Sequence, residues 1–343
     1  MTDTDLSPGW DAIDAALAPL YPGIEPMHYG TIIKWSLGGD DPLDGVSVYR
    51  RDDHWHFVSY GMSELYDKES DDPDVSGWGF EFTFRLGRAA DEDTPPVWAL
   101  NFLQNLARYV FTTGNVFEPG HHINLNGPIA VDQPSTLIRA AVFAEDPELG
   151  VIDTPHGTVR FLQIVGITLD EYAAVEVWDA TRLLSVLSAY LPKLVTDLSR
   201  ASLTDNPAVA SAIDEGVRRD GSSTGGIFTD VVDWRREGAV TVVRLGANAA
   251  PRIGRIMLAQ VDHRRGLLVQ SAETAVGFRA GEAFAVEERD GLLEIFLAPA
   301  DAAELARVLQ PRAGRYDIVP GLVVEIEKTL IRDPDGEVVE EIG

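Results

Sequence analysis

The chain has 343 residues, 45 % of them apolar, no cysteine, and 55 acidic against 28 basic residues, for a formal charge of −27. Such a length suits two domains with real cores, and the missing cysteine excludes disulfide scaffolds, thiolate metal sites and cysteine nucleophiles. A field this negative repels phosphate backbones and anionic lipid, so neither nucleic acid nor a membrane is an expected partner, whereas a basic protein is favoured. The acidic start Met-Thr-Asp-Thr-Asp-Leu lacks the pattern of a secretory signal, and no apolar run approaches the roughly 18 residues of a membrane span. A cytoplasmic monomer is the expectation.

In chain order, Ser7-Pro8 followed by Trp10, Ile13, Leu17 and Leu20 predicts a capped amphipathic helix. Strands are predicted over Tyr29 to Leu37, Val46 to Arg50 and Trp55 to Tyr60, from their β-branched and aromatic content. Trp78, Phe80, Phe82, Phe84 and Leu86 alternate with Gly79, Glu81, Thr83 and Arg85. That period of two places five large apolar side chains on one sheet face, which needs a helix across it. The spacing of Phe102, Leu103, Leu106 and Val110 predicts that helix, with Thr94 as cap, Pro95 and Pro96 in the first turn, and Gly114 as its end. A buried strand follows over Thr158 to Ile167. Thr168-Leu-Asp-Glu171 is a capping-box pattern opening a helical region, and Thr181 to Leu191 reads as a second helix.

Residues 199–226 lack sustained periodicity and finish in Asp220-Gly-Ser-Ser-Thr-Gly-Gly226, a linker composition. They separate a domain over 1–198 from one over 227–343. Strands are predicted beyond them at Val240 to Leu245, Ile253 to Gln260, Gly266 to Gln270 and Leu292 to Leu297. A helix at Asp301 to Leu309 and a closing strand at Gly321 to Leu330 complete the series. Strands and helices mix without regular alternation, so the fold class is α+β: two domains, each an antiparallel or mixed sheet covered by helices.

Few motifs carry chemistry. His54 and His56 share one face of a strand, and a metal-assisted hydrolase could be built on them. No third ligand stands at a recognisable spacing, so a strand with Trp55 inward and the imidazoles outward is the plainer reading. His121-His122 lies in a turn, where adjacent side chains diverge and suit partner contact better than chelation. Three carboxylates in Asp40-Asp41-Pro-Leu-Asp44 lack the register of a calcium loop. Gly221-Ser-Ser-Thr-Gly225 satisfies G-x-S-x-G, but no strand precedes it as a nucleophile elbow requires. No catalytic residue, metal or cofactor is assigned.

Several ordered, aromatic, glycine-punctuated blocks remain. They are His28-Tyr-Gly-Thr-Ile-Ile-Lys-Trp-Ser-Leu-Gly-Gly-Asp-Asp-Pro-Leu-Asp44 and His54-Trp-His-Phe-Val-Ser-Tyr-Gly-Met-Ser-Glu-Leu-Tyr66, then Gly77-Trp-Gly-Phe-Glu-Phe-Thr-Phe-Arg-Leu86, Leu106-Ala-Arg-Tyr-Val-Phe111 and Phe161-Leu-Gln-Ile-Val-Gly166. Together they resemble the Suppressor of fused family. The resemblance implies two α+β domains that bind a protein and catalyse no known reaction. In the animal members a segment of a Gli-type zinc-finger transcription factor lies as an extended strand between the domains, a β-augmentation. It also implies partner-binding roles for Tyr109, the family's groove tyrosine, and for Phe117, with Trp55 as a flank. His121, beside His122, stands where animal members carry an acid, which argues for a different ligand. For a bacterial member the resemblance implies an immunity or inhibitor protein, possible partners including a basic toxin. A regulatory scaffold for an endogenous partner is the alternative.

Overall fold

The computed structural model describes residues 7–33, 35–289, 291–332 and 336–343, so the first six residues, read above for a leader, lie outside it. The chain forms two compact units: Met1–Tyr172 with Ala180–Val209, and Ala173–Asp179 with Ala210–Gly343. Both mix sheets with helices, as the pattern predicts.

The first unit runs α1 (Pro8–Leu17), β1 (Met27–Gly30), β2 (Gly45–Arg50), β3 (His54–Tyr60), β4 (Val75–Gly87), α2 (Val97–Thr113), β5 (His122–Asn124), β6 (Ile138–Glu145), β7 (Val151–Thr154) and β8 (Gly157–Thr168). The short helices α3 (Leu169–Val177) and α4 (Ala180–Leu187) follow, and the chain passes from one unit to the other inside α3, back before α4, and again after Val209. The eight strands make one sheet in the order β1-β2-β3-β4-β8-β6-β5, with β7 beside β8. Only β4 and β8 run parallel; the remaining pairs are antiparallel.

The alternation along β4 does what its period requires. Phe80, Phe82, Phe84 and Leu86 share a core with Trp98, Leu103, Leu106 and Val110 of α2, and Trp78 packs at its margin. Burial of each such side chain is worth roughly 1.5–3 kcal/mol. The helix starts later than Thr94 suggests, because Pro96 is extended (φ −70°, ψ 131°) and occupies the cap position itself. It stops where predicted: Gly114 adopts φ 74°, and its N–H donates to the Val110 carbonyl at 2.8 Å. The capping box also forms, with the Thr168 N–H donating to Glu171 Oε2 at 2.9 Å and the Glu171 N–H to Thr168 Oγ1 at 3.3 Å. The predicted strand from Tyr29 to Leu37 is cut to β1. Its partner β2 begins at Gly45, paired with Gly30, so the residues beyond have no ladder to join.

The other face of the sheet is covered too. Ile13 and Leu17 of α1 pack with Tyr49, Val58, Tyr60 and Phe161. The polar positions of β3 and β4 are therefore sealed between layers: His56, Glu81, Thr83 and Arg85 are all fully buried. Each finds partners. Glu81 accepts from the hydroxyls of Ser59 and Ser63 at 2.5 and 2.6 Å and from the N–H groups of Gly61 and Ser63 at 3.0 and 2.9 Å. Arg85 forks onto Asp146, Nη1 to Oδ2 at 2.5 Å and Nη2 to Oδ1 at 3.0 Å, and Nη2 also reaches Glu148 at 2.9 Å. Asp146 further accepts from Thr83 Oγ1 and from the N–H groups of Glu148 and Leu149. Tyr21 Oη lies 2.6 Å from His56 Nδ1 and accepts from Arg51 Nε at 3.1 Å. With the tyrosine proton given to Nδ1, His56 carries its own on Nε2, which faces Asp146 Oδ2 at 3.6 Å, a contact too long for a hydrogen bond.

The second unit follows through α5 (Pro207–Asp220), β9 (Gly226–Phe228), β10 (Val232–Glu237), β11 (Val240–Gly246), α6 (Ala250–Val261), β12 (Gly266–Gln270), β13 (Ala275–Ala280), β14 (Ala285–Arg289), β15 (Leu292–Leu297), α7 (Pro299–Val308), β16 (Gly314–Val319), β17 (Leu322–Glu327), β18 (Thr329–Arg332) and β19 (Val338–Ile342). A four-stranded sheet (β10-β11-β17-β16) and a five-stranded one (β14-β15-β13-β12-β9) share one core with α6 and α7. Three expectations change here. Much of the predicted linker 199–226 is α5, which buries Val209 and Ile213. Trp178 lies against Gly216, where any Cβ would come within 2.2 Å of the indole, and its Nε1 donates to Asp220 at 3.0 Å. Ile253 to Gln260 is helical, because Pro251 opens a first turn and Ile253, Ile256, Met257 and Gln260 fall on one buried helical face. The closing strand splits into β17 and the start of the β18–β19 hairpin. No helix among the described residues is long and apolar enough to cross a membrane.

The buried polar layer makes stability depend on pH. Burial pushes His56 from its ordinary 6.5 down to about 4, so between those values the unfolded chain holds a proton that the folded chain does not. Its contribution is complete above pH 6.5 and is lost as pH falls through 4; the shift corresponds to about 3 kcal/mol. Burial opposes the Asp146 charge, but His56 and Arg85 outweigh it and hold that carboxyl below its ordinary 3.8, so its share is lost only at still lower pH. Urea unfolding is expected to show a falling free energy from pH 6.5 to 4, with a shallower slope in His56→Gln; equal slopes would contradict this. Arg85→Met, which strands Asp146, should cost about 3–5 kcal/mol.

Candidate protein-docking face

The last turn of α2 presents Tyr109, 43 % exposed. Behind it sits Phe117, only 8 % exposed, with ring centroids 5.5 Å apart. Phe117 in turn stacks on Phe143 of β6 at 4.1 Å and 18°, and touches Phe82 of β4 at 6.1 Å. Tyr109 is thus the open end of an aromatic column rooted in the core. Its hydroxyl accepts from Asn115 Nδ2 at 3.2 Å, which fixes the direction of the phenol.

The turn after Phe117 is strapped to β6. The Gly120 N–H donates to the Phe143 carbonyl at 2.8 Å, and the Phe143 N–H donates to the His121 carbonyl at 2.9 Å. Gly120 takes φ 91°, a conformation that a side chain would strain. His121 is exposed, and its Nδ1 accepts from the Glu118 N–H at 3.2 Å, so a neutral ring carries its proton on Nε2. Glu118, itself exposed, places a carboxylate in this turn. His122 opens β5, half-buried, with its ring edge-on to Tyr172 at 5.4 Å. β5 pairs with β6 on one side only and is the edge strand of the sheet. An edge strand beside a rigid aromatic column is suited to taking up an extended segment, whose backbone extends the ladder while its side chains meet the rings.

Of the residues singled out from sequence, Tyr109 and Phe117 pack together, with Phe117 as backing rather than surface, and His121 lies in the turn that follows; His122 pairs with Val142 and turns to the other side of the sheet, against Tyr172. Trp55 does not belong. It is 0 % exposed in the core under α2, with the Arg88 guanidinium over its ring at 5.3 Å, so it offers a partner nothing. Two further residues belong to the surroundings and no local pattern marks either one: Phe143, brought beneath Phe117 by the pairing of β6, and Tyr172 of α3, against His122.

His54 and His56 are buried, not outward, because α1 and its neighbours cover that side of the sheet. His54 Nδ1 is 2.6 Å from Asp53, and burial lowers the basicity of the imidazole. Among the described residues no three His, Cys, Asp or Glu side chains are grouped to hold a metal ion. Gly221 ends α5, so the segment before Ser223 is a helix where a nucleophile elbow needs a strand.

A family model described as Suppressor of fused protein matches residues 39–201. The Suppressor of fused homologs of Homo sapiens and Mus musculus are each 37 % identical over 241 residues, which is 64 % of this chain and 49 % of theirs. The chain spans about half the length of the curated relatives it matches. The crystal structure of Drosophila Suppressor of Fused shares the fold, with a TM-score of 0.76 at 22 % identity over 94 % of this chain and 97 % of that one. A chain from the crystal structure of the Sufu–Fu complex matches at a TM-score of 0.55 and 32 % identity, over 60 % of this chain and 97 % of its own.

The two aromatics separate cleanly by experiment. Trp55→Ala should cost about 3–5 kcal/mol of stability by opening a core cavity, whereas Tyr109→Ala should change it by less than about 1 kcal/mol. Thermal denaturation of the two variants measures both; equal losses would place Tyr109 in the core.

Proposed function

The chain belongs to the Suppressor of fused family, and we propose that it is a non-catalytic binding protein that takes an extended segment of a protein partner on the Tyr109–His122 face. The observation that carries this reading is the exposed Tyr109 ring standing on the buried Phe117–Phe143 stack beside the open edge of β5. Aromatic anchors with rigid backing dominate protein-contact energetics, since little side-chain freedom is lost on binding. The second unit, taken alone, also ends in a three-residue edge strand, β9, with Phe228 exposed.

The Sufu–Fu complex supports protein binding as the mode of action, since that relative is named with a partner. The finer reading is a bacterial immunity or inhibitor protein directed at a basic toxin. It draws on the charge of −27, which speeds encounter with a cationic partner. Regulation of an endogenous partner uses the same face and differs only in what is bound.

Capture from native cells with the tagged chain, followed by mass spectrometry, identifies the partner. Titration calorimetry with that partner should then show Tyr109→Ala combined with His121→Ala binding about 30-fold more weakly, the loss of one hot spot. Unchanged affinity in a folded double variant would remove the docking face from these residues. A secreted basic protein supports the inhibitor reading; a transcription or signalling protein supports the scaffold.

A further inference from the structure

A second site lies in the same unit and uses none of those residues. A cavity of about 560 Å3 is walled by the short 3₁₀ turn Trp35–Leu37, the loop after β3, the start of β4 and the last turn of α2. Phe111 stands between two indoles, meeting Trp35 at 5.7 Å and 70° and Trp78 at 5.5 Å and 60°. All three rings line the cavity, and their steep mutual angles keep them from lying in one plane. Gly77 (φ 55°) and Gly79 (φ 82°) make the bulge that sets Trp78 in place, and the Trp78 N–H is tied to the Met62 carbonyl at 2.9 Å. A Cβ on Gly77 would come within 2.7 Å of that same carbonyl oxygen, so the wall depends on a glycine there.

Carboxylates complete the lining. Glu64, Asp67 and Glu69 all border the cavity. Glu64 Oε1 accepts from the N–H groups of Glu69 and Ser70 at 2.7 and 2.5 Å, which shapes the acidic loop. Burial works against its charge, but those N–H groups and Lys68 outweigh it and hold the carboxyl at about 2. Lys68 is a neighbouring cation, and its Nζ is engaged by Glu64 at 2.9 Å, Ser70 Oγ at 2.7 Å and the Val75 carbonyl at 2.6 Å. It is not among the residues lining the cavity.

We propose that this cavity is a socket for an arginine side chain presented by a basic segment of a protein partner. Aromatic faces attract a cation through their quadrupoles, and the rim carboxylates add charge complementarity. A planar guanidinium satisfies both, stacking on an indole while its N–H fork reaches the acids; a compact ammonium stacks less well. Trp35 is 37 % exposed, so one aromatic wall of the cavity is open to an incoming side chain. Phe111 and Tyr109 stand two residues apart on α2 but turn to different neighbours, Trp35 and Trp78 for one and Phe117 for the other. The socket rests on the protein-binding reading only for what carries the arginine.

The probe is a doubly blocked Gly-Arg-Gly tripeptide, titrated into the full chain while the indole N–H resonances of Trp35 and Trp78 are followed by NMR. Saturable shifts of both are expected, with no response to the citrulline tripeptide, which keeps the shape and loses the charge. Asp67→Asn with Glu69→Gln, two exposed substitutions that spare the core, should weaken the arginine tripeptide about tenfold. Equal binding of the citrulline peptide, unchanged affinity in that double variant, or tighter binding of tetramethylammonium than of the arginine peptide would each overturn the proposal. The two readings fail separately. Loss of the socket leaves capture through Tyr109 intact, whereas a wrong protein-binding reading leaves the tripeptide bound and no partner captured.

Discussion

The Arg85–Asp146 pair is the constraint on which the first unit depends. Its sheet is covered on both faces, by α2 on one and α1 on the other, so the polar half of an alternating strand has no water to face. A guanidinium buried there costs several kcal/mol unless its charge is matched and its N–H groups are used. Asp146 answers with a two-point contact and is itself held by Thr83 and two backbone N–H groups. Glu148 extends the arrangement to Arg51 and Lys193 nearer the surface. Such a layer adds less stability than an apolar one of equal volume would, but it penalises a shifted strand register, because a slip of one residue would strand a charge.

That rigid sheet supports what α2 carries. One face of the helix is spent on the core through Leu103, Leu106 and Val110, and its last turn is divided. Tyr109 leans on Phe117 over the edge-strand side, and Phe111 meets the two indoles. Both surfaces inherit their precision from buried aromatics rather than from loop residues searching for a conformation. Preorganisation of this kind reduces the entropy lost on association, which suits the binding role proposed for the chain. The net negative charge acts at longer range, on encounter rather than on the fit.

Much of this was legible in the residues themselves. The period of two from Phe80 to Leu86, the helical spacing that ends at Gly114, and the Thr168–Glu171 capping box each reappear in the structure, because each is a local rule about adjacent turns or alternating faces. The errors were of two physical kinds. Ile253 to Gln260 is apolar enough to read as a strand, yet its core-facing side repeats at helical spacing. His54 and His56 were read as outward, as though only one sheet face were covered; α1 covers the other and buries them. Trp55, read as a flank of the contact, lies instead in the core under α2.

The order of aromatic blocks and the amphipathic spacing thus established family and α+β class, since these are properties of neighbouring residues. Which side chains remain accessible is a different matter. Tyr109 beside Phe117, Arg85 against Asp146, and Trp35 with Trp78 around Phe111 are meetings between residues brought together by strand order and helix docking. Periodicity says which face a residue occupies and nothing about what covers that face. Packing alone decided that most of the aromatics are core and that a few stay exposed.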